Sequence, residues 1–381
     1  MRKIAFIFGT RPEAVKMAPL INAVRENESL EAAVILTGQH PSMAKEVLKW
    51  FGIEPDFDFS VERKDNSLNE LTSQLLQIAS EGISLSQPDI VVVQGDTASA
   101  FAGATAAFNL QIPVAHLEAG LRTNDIWSPF PEEAYRQMIS RIASLNMCPT
   151  ISNKKNLLAE GISEKSIMVT GNTVVDAFEV VQRNLDSKLI EVNLPLNLPR
   201  ENIVLVTAHR RENLEMGMNE IAEAIAELAD LYHEVNFVIP MHPNPAVRSR
   251  LLPVLSGKSN VVLVEPLDYP EFITILAKSK LILTDSGGVQ EEAPILGIPA
   301  LVMRENTERP EGVIAGGVRL VGANKVEIVS NVRELMDSPQ TLQTMARSLN
   351  PYGDGNASER CVSLICSFFG ISERVCEFSY V

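Results

Sequence analysis

Neither of the two common nucleotide-binding loops occurs in this chain. There is no GxxxxGK[ST], which excludes P-loop phosphate chemistry. The only GxGxx-like run, GDGNAS at 353–358, lies near the C-terminus with no strand before it. It reads as a loop and helix start and gives no support for a nicotinamide site. Cysteine is scarce: Cys148, Cys361, Cys366 and Cys376 lack paired metal spacing and read as unlinked thiols. The five histidines also lack ligand spacing, so no zinc or iron site is expected. Positive charge is in deficit as well. A net charge of −15 disfavours nucleic acid or an anionic membrane as partner, and an anionic ligand would need local Arg and Lys. No apolar run approaches the roughly 18 residues that span a bilayer. The short run at 4–8 meets Arg11-Pro12-Glu13 too soon for a signal peptide, so a cytoplasmic place is expected.

What the chain does have is length and rhythm. Its 381 residues, 45% hydrophobic and 21% charged, fit about two compact domains. In the first half, β-branched runs at 4–8, 33–36, 90–94, 113–116 and 167–169 alternate with amphipathic stretches at 12–26, 42–51, 68–84 and 97–109. In the second, runs at 203–207, 236–240, 261–264, 281–284 and 300–303 repeat the pattern. Such alternation predicts an α/β fold with parallel sheets covered on both faces. Between the halves, 187–201 holds Leu-Pro twice and has no period, which puts a domain boundary between Gly171 and Arg200. Two Rossmann-like domains facing a cleft are expected, with ligands beyond the carboxyl ends of the strands.

The segment LILTDSGGVQEEAP at 281–294 reads as a buried strand, a Ser-Gly-Gly turn and a helix start. Backbone N–H groups and a helix N-terminus then point at one place, which suits a phosphate. Ser286 adds a hydroxyl, Gly287 and Gly288 allow close approach, and Glu292 suits ribose hydroxyls. Other polar residues also cluster after strands. Arg11 and Lys16 follow the first, Asp96 the third, and His116 to Arg122, with Glu118, the fourth. Glu132, Glu133 and Arg136 come soon after. Singly, Asp96 is better read as a helix cap, and Glu132 and Glu133 suit an ordinary first helical turn. Three carboxylates converging on one cleft would instead raise at least one pKa, as general acids and bases require. In the second half, His209 with Arg210 and Arg211 at a strand end favours an anion site, and His242 follows the next strand.

Taken together, these segments resemble the non-hydrolysing UDP-N-acetylglucosamine 2-epimerases over nearly the whole chain. The matching pieces are FGTRPEAVKMAP (8–19), QGDT (94–97), HLEAGLRT (116–123), PFPEEAYR (129–136), HRREN (209–213), TDSGGVQEEAP (284–294), VMRENTERP (302–310) and NPYGDG (350–355). The resemblance implies a GT-B-like fold whose C-terminal helix returns to the first domain. Residues 1–172 plus 358–381 would form one domain and 173–357 the UDP-binding one. It further implies exchange of UDP-GlcNAc and UDP-ManNAc by a homodimer that uses neither nicotinamide nor metal. By the same resemblance, Arg11, Ser286, Gly287 and Gly288 hold the diphosphate, Glu292 the ribose, and Phe272 lies beside the uracil. Lys16, Asp96, Glu118, Glu132, Arg136 and His209 match the sugar-side set, with Asp96, Glu118, Glu132 and His209 as the catalytic group. Gln39, Arg210 and His242 match positions implicated in activation by substrate. Two departures stand out: Leu267 replaces a polar residue near the uracil, and Ser42 stands where activated relatives can have Gln.

The implied chemistry is elimination of UDP with loss of the C2 proton, through an enclosed 2-acetamidoglucal, then re-addition after protonation of the opposite face. A GT-B glycosyltransferase, a hydrolysing epimerase and a non-catalytic nucleotide-sugar sensor remain as alternatives. The sequence names neither the polysaccharide pathway served nor any further modification of the sugar.

Overall fold

The computed structural model describes every residue except 63, 64, 66, 188–191, 193, 196, 197, 211, 212, 215, 216 and 381. Its chain divides into two compact units, Met1–Arg183 with Tyr352–Val381, and Asn184–Pro351. Arg211 and parts of 187–201 lie outside the described residues.

The first unit is built on seven parallel strands: β1 (Arg2–Phe8), β2 (Leu30–Leu36), β3 (Phe57–Asp58), β4 (Ile90–Gln94), β5 (Val114–Leu117), β6 (Leu145–Cys148) and β7 (Ile167–Val169). Their order is β3-β2-β1-β4-β5-β6-β7. The chain therefore winds one way from β1 to β3, then returns to β1's other edge and winds the opposite way. That reversal opens a crevice at the carboxyl ends of β1 and β4. Helices cover both faces, so β4 is apolar almost throughout and every residue of it is buried.

The second unit repeats the plan with six parallel strands: β8 (Ile203–Thr207), β9 (Asn236–Pro240), β10 (Val261–Val264), β11 (Ser279–Thr284), β12 (Ala300–Val302) and β13 (Val318–Leu320). The order β10-β9-β8-β11-β12-β13 places its reversal between β8 and β11. These strands end in register, Thr207 opposite Thr284, and the two hydroxyls are 2.6 Å apart.

Helix Thr173–Asp186 lies mostly in the first unit. Its buried Asp176 accepts the N–H groups of Ala357 (3.2 Å) and Ser358 (2.7 Å), the first turn of helix Ala357–Phe368. A carboxylate at a helix N-terminus satisfies donors that have no partner inside the helix. The returning helix then packs against helix Arg11–Arg25. Contacts thus bind Thr173 onward, and Tyr352 onward, to the first unit, which moves both divisions from 172/173 and 357/358 to 183/184 and 351/352.

Candidate active site

In the first unit the polar residues gather at the β1/β4 reversal and after β5. Glu118, directly after β5, has φ +64°, a left-handed backbone that a residue with a Cβ adopts at a cost of about 1–2 kcal/mol. The turn aims its carboxylate inward. There it receives Lys16 from helix Arg11–Arg25, the side-chain amide of Gln94 at the end of β4, and Asn172 after β7 at 3.5 Å. Both Lys16 and Glu118 are buried, and a buried pair of this kind is stable only because further donors complete it. Lys16 therefore serves a carboxylate of its own chain in this arrangement.

Asp96 lies two residues beyond β4 and is gripped by Arg136 of helix Glu132–Ile142 at 2.6 Å. The same guanidinium lies 3.3 Å from Glu133, whose carboxylate is fully buried and also accepts Thr123 N–H at 3.0 Å. Glu133 is thus a supporting residue, while its half-buried neighbour Glu132 opens the helix. The cap of helix Ala98–Asn109 is Thr97, whose hydroxyl accepts Ala100 N–H at 3.0 Å. Asp96 is released from the capping duty it could have had. His116, inside β5, is fully buried. Its Nε2–H donates to the Gly95 carbonyl at 2.7 Å, and Ser140 lies 3.3 Å from Nδ1. Burial pushes its pKa down to about 3, so the ring is neutral and steadies the Gly95–Asp96 turn.

Arg11 is the first residue of its helix and is half-buried. Gln39, after β2, is turned onto Ser99, accepting its N–H at 3.2 Å and its hydroxyl at 2.7 Å.

In the second unit the organiser is Asp285, a residue the sequence reading passed over. It follows β11, is fully buried, and accepts the N–H groups of His209 (2.9 Å) and Arg210 (2.8 Å) and the Asn213 amide (3.2 Å). One carboxylate thereby folds the loop after β8 over the loop after β11. The His209 ring lies 3.3 Å from the same carboxylate and stacks on His242 with centroids 5.3 Å apart. Burial lowers the pKa of both imidazoles, and for His209 the nearby Asp285 opposes it.

Helix Gly287–Ile295 begins at this point, with Ser286 at its N-cap and no side-chain cap made by the serine hydroxyl. The two glycines differ. An added Cβ at Gly287 would sit 2.8 Å from Arg309 Nη1 and 3.2 Å from Arg210 Nη2, whereas one at Gly288 meets no described atom within 4 Å. Gly287 is small because guanidinium groups press on it; Gly288 leaves open space above the helix start. Arg309 is fixed by Glu291 at 2.6 Å and by Glu308, which also takes Arg304 at 3.0 Å. Glu292 is buried on the same helix. Phe272 is half-buried on helix Tyr269–Ala277, which Asp268 and Glu271 cap reciprocally at 2.9 Å each. Leu267 is buried.

The residues missed by sequence reasoning, Glu13, Gln94, Asn172, Asp285, Glu291, Glu308 and Arg309, mostly act on other side chains. Their only signal was position: each but Asn172, which follows the strand run at 167–169, stands within a motif, yet a buried partner is not visible from spacing.

Comparison with known proteins gives a uniform result. The family model described as UDP-N-acetylglucosamine 2-epimerase matches residues 22–366. The UDP-N-acetylglucosamine 2-epimerase of Escherichia coli K12 is 44% identical over 95% of this chain and 98% of its own. A Neisseria meningitidis UDP-GlcNAc 2-epimerase solved with UDP-GlcNAc superposes with TM-score 0.92 at 42% identity, covering 96% of this chain and 100% of that one. The Staphylococcus aureus MnaA–UDP co-structure gives TM-score 0.93 at 42% identity over 100% of both chains. With two Rossmann-like units of the GT-B-like kind, this chain belongs to the UDP-N-acetylglucosamine 2-epimerase family.

Proposed function

We propose that this enzyme interconverts UDP-GlcNAc and UDP-ManNAc by eliminating and re-adding UDP. The observation that carries the reading is Glu118, held in a left-handed backbone and ringed by Lys16, Gln94 and Asn172 at the carboxyl end of the first sheet. Such an investment suits a carboxylate that must meet a carbon-bound hydrogen in a fixed place.

The C2 hydrogen of the sugar is not next to a ring carbonyl, so enolisation alone cannot release it. A carboxylate takes that proton while the anomeric C–O bond breaks; the C–H electrons form the C1=C2 bond and UDP departs with the C–O pair. A second acid then delivers a proton to the other face of C2, and a diphosphate oxygen returns to C1. Two faces need two proton carriers, which Asp96, Glu118 and Glu132 supply among them. Arg11, His209 and the helix start at Ser286, Gly287 and Gly288 offset charge growing on the diphosphate. Glu292 and Phe272 hold ribose and uracil. The enzyme acts as a homodimer, and Gln39, Arg210 and His242 serve activation by substrate. A hyperbolic rate curve in the UDP-ManNAc direction, unmoved by added UDP-GlcNAc, would count against that last role.

Incubation with UDP-GlcNAc in D2O, followed by NMR, tests the reading. Deuterium at C2 with the UDP linkage intact is expected. Free ManNAc would mean hydrolysis, and an unchanged substrate would mean a sensor or an acceptor-dependent transferase.

A further inference from the structure

Glu13 has no place in the chemistry above, yet it is fully buried at the β1/β4 reversal. One carboxylate oxygen accepts the N–H groups of Gly9 (3.1 Å) and Thr10 (2.8 Å); the other accepts the Thr97 hydroxyl (2.6 Å). Gly9 and Thr10 lead directly into Arg11. Thr97 directly follows Asp96 and caps the helix that begins there. A single side chain therefore joins the loop bearing an expected diphosphate ligand to the loop bearing an expected proton carrier.

The charged groups on the surrounding elements are otherwise engaged. Lys16, one turn along the same helix, is paired with Glu118; Arg136 is paired with Asp96 and Glu133; His116 is neutral. Arg11 is on the same helix at its first position. The forces on Glu13 are thus burial, which disfavours its charge, and the hydrogen bonds from Thr97, Gly9 and Thr10, which favour it. We infer that Glu13 is a positioning residue whose ionised carboxylate holds the Arg11 and Asp96 loops in their reactive arrangement. A proton on the oxygen facing Thr97 turns that oxygen into a donor, so its hydrogen bond with the Thr97 hydroxyl must reverse direction and no longer carries the charge that held the Asp96 loop. Burial raises the Glu13 pKa from 4.5 to about 7, so this exchange falls within the working pH range of an ordinary enzyme.

The inference rests on the epimerase reading of the same site, and one experiment separates the two. The pH dependence of kcat and KM is measured by C2 deuterium incorporation for the wild type, Glu13→Gln, Thr97→Val and Thr97→Ser. The wild type is expected to lose kcat as pH falls through about 7. Glu13→Gln keeps an acceptor but cannot ionise; its kcat should drop roughly 10- to 100-fold and that acid limb should vanish. Thr97→Val should do the same, and Thr97→Ser should restore both. Wild-type kcat and limb in Glu13→Gln overturn the inference, as does a lowered kcat with the limb intact. Should Glu13→Gln fail to fold, Thr97→Val decides on the same criteria. A wild type that exchanges no deuterium overturns the epimerase reading and this inference together.

Discussion

The Lys16–Glu118 pair is where single side chains matter most. Both partners are buried, so removing one takes from the other its opposite charge, at a cost of about 3–5 kcal/mol. Lys16→Met and Glu118→Gln should each lower stability strongly. The double variant should lose much less than the sum, because no lone charge remains. A double-mutant cycle in urea checks this; additive losses would mean the two side chains do not act as a pair. Glu118→Gln should also reduce C2 deuterium incorporation by about 100-fold or more, as should Asp96→Asn. Deuterium incorporation at the wild-type rate in either variant removes that residue from proton transfer. Of the candidate acids, Glu118 was legible by itself, because a carboxylate beside Gly and Arg after a strand has no obvious structural task; Asp96 and Glu132 read singly as helix-start residues, and the resemblance picked them out. Their supports were not legible: Gln94 ends an apolar strand and Asn172 sits in a loop, and neither position marks a partner 24 or 54 residues away.

Among elements, the strands that announced themselves were the unbroken apolar ones, β7 and β12 included, with three residues each. β3 has two residues and β13 has three, with Arg319 in its middle. β6 carries buried Asn146 among four residues, so its apolar run is broken. Short edge or interrupted strands take their conformation from the neighbour they pair with, which a local pattern does not record. Helix Gly287–Ile295 was legible by contrast, since Ser-Gly-Gly after a strand has few other uses. Its two glycines make a sharp test. Gly287→Ala must displace Arg309, which Glu291 and Glu308 hold in place, so UDP affinity by calorimetry should fall at least about tenfold. Gly288→Ala meets no described atom within 4 Å, and any loss it causes reports crowding of the ligand. A Gly287→Ala variant that binds UDP like the wild type would show the Arg309 network to be unimportant for the helix start.

At the scale of the molecule, length and alternation gave two α/β units, but not where one ends. Thr173 begins a helix whose Asp176 is needed by the returning helix, a link across 181 residues that composition cannot carry. Stability of the whole fold against pH is set in part by two buried groups of opposite sense. His116 is depressed from 6.5 to about 3, so the unfolded chain binds its proton first. That contribution is complete above pH 6.5 and is lost as pH falls toward 3, at full effect roughly 5 kcal/mol. Glu13 is raised from 4.5 to about 7, so the native state binds its proton first. Its penalty is absent below pH 4.5 and grows as pH rises to 7, on the order of 3 kcal/mol. Between 4.5 and 6.5 the slopes of these two groups cancel, and the ligand-free wild-type urea midpoint follows the remaining groups, among them His209 and His242. Glu13→Gln removes one slope: relative to the wild type, its midpoint should fall steadily as pH drops from 6.5. His116→Gln keeps a donor for Gly95 and removes the other: relative to the wild type, its midpoint should rise as pH drops from 7 to 4.5. Parallel curves for all three proteins would mean that neither group changes its proton on unfolding, and the burial argument for both would fail.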